Sequence, residues 1–149
     1  MVMKKTCCSH KLDLKKAQEL LSTHQISRTK IKTHILISLS QSNHPLSVLE
    51  IFESFKKDTC DISTVFRTIT QFKEKGLVKE INLGESFFRY ETINHTSDHH
   101  HHHIRCRDCG SIKLIEKCDL SVLEKMVNRL GFKNVEHHLE FIGQCSECA

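Results

Sequence analysis

The sequence predicts an α+β chain in two parts, an N-terminal winged helix-turn-helix over residues 1–91 and a C-terminal α/β unit over residues 92–149. Three observations predict it. A succession of short amphipathic segments with marked helix starts ends in a β-hairpin pattern, a small polar stretch TINHTSD follows as a hinge, and HTSDHHHHHIRCRDC then shifts the composition towards His and Cys. The five histidines sit in mid-chain and lead into Cys106 and Cys109, so they read as a working part of the protein and not as a tag.

Taken in order, Asp13 caps a helix carrying Leu14, Ala17, Leu20 and Leu21, and Ser27 caps a second carrying Ile31, Ile35 and Leu39. Ser47 and Glu50 form a capping box in LSVLEIFESF, Leu46 and Ile51 a hydrophobic staple, and Leu49, Phe52 and Phe55 its apolar face. In DISTVFRTITQFKEKG, Asp61 is the N-cap, Ile62, Val65, Ile69 and Phe72 make one stripe, and Gly76 is the stop. LVKEINLGESFFRYE then reads as two strands around Gly84, Glu85 and Ser86. Helices followed by a hairpin describe a winged helix, or a small helical domain whose hairpin merely closes the core. In the second part, residues 101–106 and 111–115 are expected strands around CRDCG, Asp119 to Leu130 a helix stopped by Gly131, and Val135 to Ile142 an alternating strand.

Charge divides with the parts. Lys plus Arg against Asp plus Glu is 15 to 10 in residues 1–91 and 7 to 8 in residues 92–149. A basic first half suits nucleic acid, although so small an excess is also an ordinary solvated surface. No apolar run approaches the roughly 20 residues needed to span a bilayer, and no signal peptide pattern opens the chain, so a soluble cytoplasmic protein is expected. In that setting eight cysteines read as reduced thiols available to metal.

Cys106-x-x-Cys109 and Cys145-x-x-Cys148 are two knuckles separated by 35 residues, the pattern of a closed four-thiolate zinc site. Four protein ligands leave no open position, so its role is structural. Redox dithiols would belong beside a thioredoxin-like βαβ pattern, which the sequence lacks. If residues 99–103 are extended, His99, His101 and His103 face one way and His100 and His102 the other, which makes two ligand sets. Standing alone, the run reads rather as a solvated linker that binds metal adventitiously. Cys60 and Cys118 are read as small packed residues, and Cys7, Cys8 and His10 are given no ligand role.

The order RTKIKTHIL, NHPLSVLEIF, STVFRTI, GLVKEINLGESFFRYE, HHHHHIRCRDCG and HHLEFIGQCSEC resembles, from about residue 14 onwards, the ferric uptake regulator family. The resemblance implies a metal-dependent repressor with a C-terminal α/β dimerisation domain bearing a zinc-knuckle site. It implies structural Zn2+ on Cys106, Cys109, Cys145 and Cys148, a regulatory Zn2+ or Fe2+ site on His44, Glu91, His101 and His103, and a further site on His100, His102 and His137. The sequence departs from the family at Leu114, where a carboxylate usually stands. It departs again in IEKCDLSVLE, where the carboxylate early in the next helix has only Glu116, Cys118 or Asp119 as substitutes.

The helix from Asp61 to Lys75 matches the family's recognition helix. Ser63, Thr64, Phe66 and Arg67 lie in its first turns, the part that reaches base edges, with Phe66 where Tyr is usual. Phe66 adjoins the Val65 stripe and is equally a core residue. Lys15, Lys16, Arg28 and Lys30 suit phosphates. The expected protein is a homodimer on double-stranded operator DNA, most closely a zinc-uptake regulator. Iron-uptake and peroxide-sensing regulators are the neighbouring alternatives, and a zinc store or chaperone is the rival class. No HExxH or comparable constellation supports a zinc hydrolase.

Overall fold

The computed structural model describes residues 11–57, 59–93, 102–115, 119–135, 137 and 139–149. The chain forms two compact units, residues 1–96 and 97–149.

In the first unit, α1 (Leu14–Thr23) starts where Asp13 accepts from the Lys16 amide. It buries Ala17 and Leu21 and leaves Leu14 exposed. Helix α2 (Lys30–Gln41) is capped by Thr29 and not by Ser27, whose hydroxyl instead accepts from Lys32 Nζ. Strand β1 (Leu46–Ser47), absent from the expected elements, leads into α3 (Val48–Glu53). The capping box of α3 is present as expected: Ser47 accepts from the Glu50 amide, and the Glu50 side chain accepts from the Ser47 amide. Its inward residue is Ile51, while Leu49 is exposed, because so short a helix turns only one narrow face to the core.

Helix α4 (Ile62–Glu74) has the cleanest ends of the chain. Asp61 accepts from the Thr64 amide and from the Ser63 and Thr64 hydroxyls, which holds its carboxyl well below the usual range. At the other end the Gly76 amide donates to Lys73 and the Leu77 amide to Phe72, with Gly76 at φ +69. This left-handed turn ends the helix without a clash. Val65, Ile69 and Phe72 are buried, while Ile62 is exposed. Strands β2 (Val78–Ile81) and β3 (Arg89–Thr92) form the expected hairpin. The connection is residues 82–88 and not three residues, and β1 pairs with the other side of β3, giving the antiparallel order β1-β3-β2. One continuous core joins α1, α2, α3, α4 and this sheet.

The second unit is a sheet of order β5-β4-β6. Its strands are β4 (His102–Cys106), antiparallel to β5 (Ile112–Ile115) and parallel to β6 (Phe141–Gly143). The strand expected from Val135 contracts to those three residues. Val135 and Phe141 are exposed, so the alternation faces no core among the described residues. Helix α5 (Ser121–Arg129) begins beside Asp119, which accepts from the Ser121 amide and hydroxyl, and buries none of its residues. Val122, Leu123, Met126, Leu130 and Phe132 are all exposed, Leu130 by 75%.

Candidate functional site

Cys106 ends β4, and the chain turns through Cys109 and Gly110, whose φ is +73. The Gly110 amide returns to the Cys106 carbonyl, and the Cys106 amide donates to Ser111. The second knuckle follows β6, where the Cys148 amide donates to the Cys145 carbonyl. The parallel β4–β6 ladder thus brings together cysteines far apart in sequence: all four sulfurs lie within 4.8 Å of one another. Cys109 Sγ and Cys145 Sγ are 3.8 Å apart, the edge of about 3.8 Å set by zinc–sulfur bonds of about 2.3 Å in a tetrahedron.

Backbone amides of Cys109, Cys145 and Asp108 donate to Cys106 and hold its thiol down at about 6. Hydrogen bonds to the neighbouring sulfurs push Cys148 up to about 12. One thiolate is therefore favoured at neutral pH and four together require a cation among them. The donor set fits zinc, and the five described cysteines are free thiols.

On β4, His102 and His103 point to opposite faces, across from Ile115 and Leu114, and both are buried. The His102 Nε2 atom lies 3.3 Å from His137 Nε2, with ring centroids 5.2 Å apart. His100 and His101 fall outside the described residues, as do Glu116 and Cys118.

In the first unit, the register Leu46↔Tyr90 puts His44 and Glu91 at the same end of the β1–β3 ladder. His44 is at the surface, with Nδ1 3.3 Å from the Pro45 carbonyl. Glu91 is largely enclosed and pairs across the hairpin with Lys79 at 2.7 Å.

The exposed side of α4 carries Ser63, Phe66 and Arg67, with Thr64 half-buried. Phe66 is 57% exposed, so it does not pack in the core. Lys32 of α2 borders the same concavity as Thr64, Phe66, Arg67 and Gln71. Lys15, Lys16, Arg28 and Lys30 are also exposed. Two residues with close polar partners here, Arg89 and Lys79, were not singled out from the sequence, where nothing in FFRYE or LVKEI sets them apart.

The ferric uptake regulator family model matches residues 23–142. The chain belongs to the ferric uptake regulator family. As a family member it is a metal-responsive transcriptional regulator and not an enzyme. It is 29% identical over 142 residues to the ferric uptake regulation protein of Bacillus subtilis, covering 93% of this chain and 95% of that relative. It is 32% identical over 113 residues to the peroxide-responsive repressor PerR of Staphylococcus aureus, covering 74% and 73%. The structure of the Helicobacter pylori ferric uptake regulator superposes with a TM-score of 0.73 at 24% identity, covering 93% of this chain and 95% of that one. That likeness gives the family's fold, a winged helix followed by an α/β domain. Among the described residues, no helix of this regulator is long and apolar enough to cross a membrane.

Proposed function

We propose that this regulator is a homodimeric, zinc-responsive cytoplasmic repressor that binds a palindromic, AT-rich operator when its histidine sites are loaded. The observation that carries the reading is the 3.3 Å between His102 Nε2 and His137 Nε2. Zinc–nitrogen bonds of about 2.0–2.1 Å put two ligands of one tetrahedral ion about 3.3–3.4 Å apart. The pair supports a binding centre separate from the thiolates, for which His100 is the third proposed ligand. Cys106, Cys109, Cys145 and Cys148 hold structural zinc. His44 and Glu91 from the first unit, with His101 and His103 from the second, are the proposed regulatory ligands.

A bound cation draws these lone pairs to one point and so fixes residues that are otherwise independent. DNA reading falls to α4, with Arg67 on guanine or phosphate, Phe66 on a thymine methyl, Ser63 and Thr64 on base edges, and Lys15 and Arg28 on phosphates. The exposed apolar side chains of α5, with Phe141 and Ile142 of β6, support a second copy of the chain as their cover.

Imidazole in excess of carboxylate, with Leu114 where a carboxylate is usual, favours zinc over ferrous iron. The ferric-uptake and peroxide-responsive names of the two relatives support an iron-uptake or peroxide-sensing regulator as the second reading. The deciding experiment is metal analysis of anaerobically purified protein, with operator binding titrated by zinc and by ferrous iron. We expect one zinc per chain to resist mild chelation and further zinc to switch on binding, while peroxide leaves His44 and His101 unmodified by mass spectrometry. Activation by iron alone, or oxidation of either histidine, selects the second reading. Metal binding without specific DNA retention would leave a zinc store. Arg67→Ala should weaken the loaded complex by about 1–3 kcal/mol, and unchanged affinity would remove α4 as the reader.

A further inference from the structure

Arg89 is a heavily bonded charge of the first unit. Its side chain is 8% exposed. Nε donates to Glu85 Oε2 at 2.5 Å and Nη2 to Glu85 Oε1 at 3.0 Å, both on the hairpin loop. Nη1 donates to Glu50 Oε2 at 2.6 Å and to the Pro45 carbonyl at 3.2 Å. These bonds use four of the five guanidinium donors. The guanidinium carbon also lies 5.5 Å from the centroid of the Phe87 ring, a cation–π distance, and Phe87 is itself 46% exposed on the wing. One planar group therefore holds the wing loop, the capping box of α3 and Pro45, the residue just before β1.

The Pro45 carbonyl has a second polar neighbour, His44 Nδ1, 3.3 Å away. A carbonyl oxygen has two lone pairs and can accept from both. A ring proton on Nδ1 would donate to this oxygen and leave Nε2 with its lone pair, the arrangement in which a backbone carbonyl orients a metal-binding imidazole.

We propose that Arg89 is a positioning residue that ties the metal-binding pose of His44 to the wing, so that loading of the regulatory site and the setting of the Glu85–Phe87 loop on DNA are coupled. The proposal rests on His44 being a regulatory ligand and names the device by which that site reaches the DNA-binding surface. The fork geometry is essential: an ammonium group in its place presents three donors from a single point and cannot span both Glu85 oxygens, Glu50 and Pro45 together.

The test uses the full chain in wild-type, Arg89→Lys and Glu85→Gln forms with thiolate zinc in place. Each is titrated with a duplex selected in vitro by the wild-type protein, with and without whichever of zinc and ferrous iron activates the wild type. The readout is the ratio of loaded to metal-free DNA affinity, expected to be about 5- to 150-fold in the wild type and to fall by roughly fivefold or more in both variants. Side-chain nitrogen NMR of metal-free protein should also show His44 losing its Nδ1–H tautomer preference in Arg89→Lys.

A purely structural Arg89 would lower the melting temperature and leave ratio and tautomer at wild-type values, which would overturn the proposal. If Arg89→Lys does not fold, Glu85→Gln, which leaves Arg89 on Glu50 and Pro45, carries the test through its own ratio. A wild type indifferent to both metals, or a His44→Ala variant that responds fully, overturns the regulatory-ligand reading itself. A responsive wild type with equally responsive variants overturns only the role of Arg89.

Discussion

The two units solve the problem of stability by different means. The first buries Ala17, Leu21, Ile35, Leu36, Ile51, Val65, Ile69 and Phe72 in one core fed by four helices and a sheet. The second has His102, His103 and Cys106 as its buried residues among those described, and its helix buries nothing. A sheet of three short strands with an uncovered amphipathic helix cannot offset the entropy of ordering its own chain. Its fold therefore depends on what it binds. The first unit carries the winged helix on a self-sufficient scaffold, while the second would draw stability from a metal held by its four thiolates.

The largest effect that would break this contrast comes from the thiolates. Cys145→Ser should remove a metal whose apparent binding free energy in small zinc domains is about 10–16 kcal/mol. Amide exchange should then be fast throughout residues 102–149 and still slow in α2 and α4. Protection persisting in β4 of the zinc-free protein would mean that the second unit has a core of its own.

Acid should have the same result. In the metal-free site the depressed Cys106 thiol contributes stability above its ordinary value near 9, lost as pH falls through about 6. Protons compete with metal for these thiolates, so zinc release followed by a metal-binding dye should rise as pH falls, and release independent of pH would remove the thiolate site.

Phe72→Ala probes the other side. It should cost the first unit about 3–5 kcal/mol in denaturant unfolding while zinc content stays unchanged. Leu130→Glu should leave each folded chain intact. It should raise the dimer dissociation constant, measured by sedimentation, by roughly thirtyfold, the equivalent of about 2 kcal/mol of lost apolar burial. A destabilised monomer with an unchanged dimer would place Leu130 in a core instead. The smallest effect is Ser47→Ala, about 1 kcal/mol from the capping box of α3, confined to the first unit.

What could be read from the sequence follows the same divide. Asp61, Gly76 and the Ser47–Glu50 box act within one turn of their own backbone, so α3 and α4 were legible with their ends. Cysteine spacing was legible too, since a knuckle is a local turn, although its partner across the β4–β6 ladder had to be inferred from zinc's need for four ligands. Thr29 displaced Ser27 because both are competent caps two residues apart and only the packing of α2 selects one. The strand from Val135 shrank because alternation signals a buried face, and the covering surface for that face does not come from these residues. Arg89 left no trace: its partners Glu50 and Glu85 lie 39 and 4 positions away, and neither spacing is a motif outside a helix.

The Lys79–Glu91 pair has a consequence for how a signal is set. Glu91 is not an empty carboxylate awaiting an ion, since an ammonium group 2.7 Å away already neutralises it. A divalent ion taking Glu91 as a ligand must exchange with that tethered cation, whose effective concentration is fixed by the hairpin and does not vary with the cell. With Glu91 as the proposed ligand, the hairpin would act as an internal reference against which free metal is compared, a threshold set by the protein's own tethered ammonium group.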